Sequence, residues 1–71
     1  MKELATFIGE SGNMVATIFE GDDGGVTFYK VDYGFSDNSQ SFFKVFMTED
    51  AATNFANQIT NKGNKPTLLN E

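Results

Sequence analysis

The residues best suited to chemistry lie in one run, Gly21-Asp22-Asp23-Gly24-Gly25. Adjacent aspartates in a glycine-rich loop offer the oxygen ligands that Ca²⁺ or Mg²⁺ takes. The spacing and the distal glutamate of an EF-hand are absent, and a hairpin turn accounts for the same composition, so the run reads as a turn with no metal. It also lacks the Gly-Lys-Ser/Thr ending of a phosphate-binding loop. Glu20 and Asp32 are the carboxylates closest to acid–base work, because apolar neighbours would raise their pKa. Nothing accompanies them. The chain has no cysteine, histidine, tryptophan or arginine, which removes thiol and Ser-His-Asp catalysis, Cys/His zinc sites and arginine clamps. The expectation is a non-enzymatic protein with no catalytic residues and no cofactor.

A second pattern concerns binding. Phe28, Lys30, Phe42, Lys44 and Phe46 interleave aromatics with lysines, as do sheets on which single-stranded nucleic-acid bases stack. The net charge of −5 opposes that use, since nucleic-acid affinity rests on neutralising phosphates; anionic membranes are disfavoured likewise. The acidic residues Glu20, Asp22, Asp23, Asp37, Glu49 and Asp50 could instead imitate a phosphate track toward a basic host protein, although a solvated surface explains them more simply. Met1-Lys2-Glu3-Leu4 has no signal-peptide pattern, and no run approaches the ~20 apolar residues that span a bilayer. A cytoplasmic protein is expected (host cytoplasm if the source is viral).

Positioning falls to short elements. Residues 4–9, 14–20, 26–35 and 40–47 are rich in Val, Ile, Thr, Phe and Tyr, with Gly, Asn, Asp and Ser between them. That is the pattern of consecutive hairpins. The period then changes: Ala52, Phe55, Ala56 and Ile59 form one helical stripe. Thr48 suits the N-cap, Glu49 and Asp50 suit the first turn, Met47 can staple to Ala52, and Lys62-Gly63 suits the end. The expected fold is therefore α+β, a four-stranded antiparallel β-meander with one C-terminal α-helix, about 49–62, packed on one face (ββββα). Residues 1–63 form one domain and 64–71 a loose tail.

Register assigns the faces. A two-residue Asp23-Gly24 turn pairs Ile18 with Tyr29 and Ala16 with Val31. A three-residue Asp37-Asn38-Ser39 loop pairs Tyr33 with Phe43 and sets Asp32 opposite Lys44. The helix then covers a face built from Ala5, Phe7, Met14, Ala16, Ile18, Tyr29, Val31, Tyr33, Phe43, Val45 and Met47. The opposite face carries Leu4, Thr6, Ile8, Val15, Thr17, Phe19, Phe28, Lys30, Asp32, Phe42, Lys44 and Phe46. One 14-residue helix covers about half of one face and none of the other. A 71-residue chain also sits where a single core is barely sufficient. The second face is therefore expected to be an interface, Phe19, Phe28, Lys30, Phe42, Lys44 and Phe46, that makes a homodimer or docks a host protein.

Two resemblances accompany this reading. The strand-to-helix passage from Phe43-Lys44-Val45-Phe46-Met47-Thr48 through Phe55-Ala56 resembles the arm-binding domains of phage integrases. Those grip DNA through basic sheets, and this sheet is not basic, so that function does not carry over. The chain from Lys2-Glu3-Leu4 through Tyr29-Lys30-Val31-Asp32-Tyr33 is similar to small orphan proteins of marine cyanophages. That likeness implies an accessory phage protein that acts on a host protein.

Overall fold

A computed structural model describes residues 1–9, 12–37 and 39–60. Four strands, β1 (Lys2–Ile8), β2 (Met14–Asp23), β3 (Val26–Phe35) and β4 (Ser41–Phe46), precede one helix, α1 (Glu49–Thr60). The strands form one antiparallel sheet in the order β1-β2-β3-β4, with the helix across one face. This is the expected ββββα arrangement. The expected helix end at Lys62-Gly63 and the tail 64–71 lie outside the described residues.

The helix starts where its sequence predicts. Thr48 Oγ1 accepts the Ala51 N–H at 3.1 Å, and the Thr48 carbonyl accepts Ala52 N–H. Ala52 and Ala56 are fully buried against Ala16, Ile18 and Val31. Small residues on the helix let its backbone approach the sheet closely, so the core is tight but contains few large side chains. Leu4, Phe7, Tyr29, Tyr33, Phe46, Phe55 and Ile59 form its half-buried rim.

Three register details differ from expectation. The β2–β3 turn is Gly24-Gly25, with φ of 62° and 89°, so Asp23 pairs with Val26 and Ile18 with Val31. Two glycines at positive φ suit a type I′ turn better than Asp-Gly does. The slip is two residues, which preserves the faces. In β1, an irregularity between Glu3 and Ala5 places Leu4 as the extra residue. A bulge of this kind re-aims its side chain, and Leu4 packs on the helix-side core instead of the opposite face.

The third difference is decisive. Tyr33 pairs with Phe42, Val31 with Lys44 and Tyr29 with Phe46. The Phe35 N–H donates to the Gln40 carbonyl at 3.2 Å, so four residues of the sequence connect this pair. One residue more than the expected loop moves every β4 side chain to the other face. Phe42, Lys44 and Phe46 therefore lie on the helix side, and Phe43 and Val45 lie on the open side. Asp32 stands opposite Phe43, not Lys44.

Candidate functional site

The open face is assembled from alternate residues of all four strands. Across it, Glu3, Phe19, Lys30 and Val45 make one row, and Thr6, Thr17, Asp32 and Phe43 the next. The second row is mostly polar: the Thr6 and Thr17 hydroxyls are 3.3 Å apart, and Lys30 Nζ lies 3.5 Å from Asp32 Oδ1. The same Lys30 ammonium sits 5.1 Å from the centre of the Phe43 ring, within cation–π range. Apolar surface concentrates at one corner, where Val26, Phe28, Val45 and Met47 line a shallow hollow beside Asp23. The far end of the Phe28 ring occupies the space where its cross-strand partner Gly21 would otherwise carry a Cβ.

Of the six residues expected to share this face, the structure brings together Phe19, Phe28 and Lys30. Phe42, Lys44 and Phe46 join a different cluster on the helix side. There Tyr33 meets Phe55 edge-on at 5.1 Å and Phe42 at 5.6 Å, while Phe46 lies 5.2 Å from Phe55. Lys44 Nζ caps this cluster, 5.4 Å from the Phe55 ring and 5.7 Å from Phe46. The two lysines that were expected to flank one aromatic platform thus stand on opposite sides of the sheet.

Exposed large apolar side chains are densest on and just after β4, although Met1, just before β1, and Ile8, at its end, are individually more exposed. Phe42 is 50% exposed, Phe43 64%, Val45 47% and Met47 61%. β4 is also a sheet edge, with β3 on one side only. Phe43, Val45 and Met47 were assigned to the covered face by the expected register, and the parity of the loop alone hid them.

No family model, curated protein or solved structure matches the chain. Its surface must therefore be read on its own chemistry. Asp22 Oδ1 accepts the Gly25 N–H at 2.9 Å, which gives the carboxylate a structural task in the turn. Among the described residues no three Asp or Glu side chains converge on a point where a cation would sit, and no helix is long and apolar enough to cross a membrane. The Asp37 carboxyl is held below the usual range by hydrogen bonds from the Ser39 side chain and then from the Ser39 N–H. It lies in the loop that sets the β4 register.

Proposed function

We propose that this chain is a small non-enzymatic protein that works by protein–protein contact and self-associates through β4 and the apolar corner beside it. One observation carries this reading: four large apolar side chains, Phe42, Phe43, Val45 and Met47, are about half exposed or more within residues 42–47 of an open sheet edge. Scattered exposed apolar residues need no explanation, but a contiguous group marks a contact surface. The small core adds to the argument, because association would bury the surface that one helix leaves bare.

A single-stranded nucleic-acid platform is the weaker reading of the same residues. Lys30 is engaged with Asp32, and Lys44 is on the other face. Sedimentation equilibrium from about 5 to about 500 µM tests self-association directly. The mass should climb from 7.8 kDa toward twice that value, and Phe43→Glu should hold it at the monomer. A wild-type chain that remains monomeric at the highest concentration would sink the proposal.

A further inference from the structure

The two edges of the sheet are not equivalent, and the difference points to how two copies meet. In an antiparallel ladder, residues alternate between directing both backbone groups at the neighbouring strand and directing both away from it. The Phe35 N–H bond to the Gln40 carbonyl fixes that alternation for β4. Gln40, Phe42, Lys44 and Phe46 face β3. Ser41, Phe43 and Val45 direct N–H and C=O outward, away from the sheet. The β1 edge is treated differently: its register is broken at Leu4, and Lys2 and Glu3 lie just before the break. Bulges and charges of this kind block strand addition. β4 has a continuous register, no proline, and a single charge, Lys44, which folds back over Phe46 and Phe55.

We infer that a second copy of this chain pairs with β4 antiparallel across a two-fold axis at Phe43, which makes one continuous eight-stranded sheet. This rests on the self-association proposed above and specifies its geometry. Chemistry selects the register. Outward-facing residues must oppose each other, so Phe43 can meet Phe43, with Ser41 opposite Val45, and about six backbone hydrogen bonds form. That register sets Lys44 opposite Phe42 of the other copy on the helix side, where an ammonium already rests on aromatic rings. Sliding by one step toward the C-terminus would set Lys44 against Lys44, a repelling pair at close range. Sliding the other way shortens the ladder. The chosen pairing covers the exposed parts of Phe42, Phe43 and Val45 of both copies, about 600 Å² of apolar side chain, so the interface is small and the backbone ladder carries much of the contact. Both helices then lie on one face of the sheet, and the open faces of the two copies join.

The test blocks the edge in two ways, one that also replaces a face side chain and one that leaves every side chain in place. Val45→Pro removes an outward N–H, a position where an edge strand tolerates proline. A full-length synthetic chain N-methylated at Phe43 removes another while it keeps the phenyl ring. Both should stay folded by circular dichroism and lose the dimer across the range in which wild type forms it. Edge-blocked chains that are folded and still dimerise as wild type does would overturn the edge pairing and leave self-association standing. A wild type that never dimerises overturns both. Amide exchange of the unmodified chain gives an independent reading that does not rely on a variant folding. The Phe43 and Val45 amides should become protected as concentration rises while those of Thr6 and Ile8 do not, and equal exchange at all concentrations refutes the pairing.

Discussion

Gly9 and Gly12 stand three residues apart and are glycine for opposite reasons. A Cβ on Gly9 would collide with the backbone carbonyl of Thr60, at the end of the helix. Thr60 itself is buried, and Ala56 one turn earlier is fully buried in the core, so that end of the helix has little freedom to retreat. Gly12 has open space around it but a φ of 79°. Gly9→Ala should therefore lower stability by about 2–3 kcal/mol through overpacking, against about 1 kcal/mol for Gly12→Ala. Urea midpoints read the difference, and equal losses would mean that the Gly9–Thr60 approach is not tight. Neither role was legible in the sequence, where Gly9 read as the end of the first strand segment and Gly12 as a turn residue. The clash with Thr60 depends on where the helix ends in space, which no local pattern contains. Thr48 is the contrasting case, because a cap acts on its own next three residues. Thr48→Ala should cost about 1 kcal/mol through loss of the Ala51 bond.

At the scale of elements, the sequence was clear wherever one face differed strongly from the other. β2 kept its faces because the wrong turn residue displaced its pairing with β3 by two residues, an even number. β4 does not alternate: Phe42, Phe43, Val45 and Phe46 make both of its faces apolar. Pattern then has no power over register, and the connecting loop decides. Asp37 belongs to that decision, since its carboxylate accepts the Ser39 N–H at 2.9 Å. Its pKa is lowered in the folded state, so its stabilising effect is complete above the ordinary aspartate range and fades as pH falls through the lower folded value. In a carboxyl-carbon NMR titration Asp37 should protonate at lower pH than a free aspartate, and Ser39→Ala should raise its midpoint. A midpoint that Ser39→Ala leaves unmoved would separate Asp37 from the loop geometry.

For the whole molecule, charge and apolar surface pull in opposite directions, and their balance can be measured. Each copy carries −5, so two copies approaching at β4 repel at long range, while the contact in the proposed dimer would be made by Phe42, Phe43, Val45 and backbone groups. Salt screens exposed charges over about 10 Å at 0.1 M and leaves apolar contact intact. The dimer should accordingly tighten, by several-fold in dissociation constant, as NaCl rises from about 20 to about 300 mM. An association built on opposite charges would do the reverse, as would a complex with nucleic acid, whose affinity falls steeply with salt. Sedimentation at the two salt concentrations separates these cases. Weakening would show that Lys30, Lys44 and the acidic turns, and not the aromatic edge, hold the copies together. Tightening would mean that the absence of arginine and histidine from an aromatic-rich chain is coherent: the molecule has little charge chemistry to offer and meets its partner through a strand.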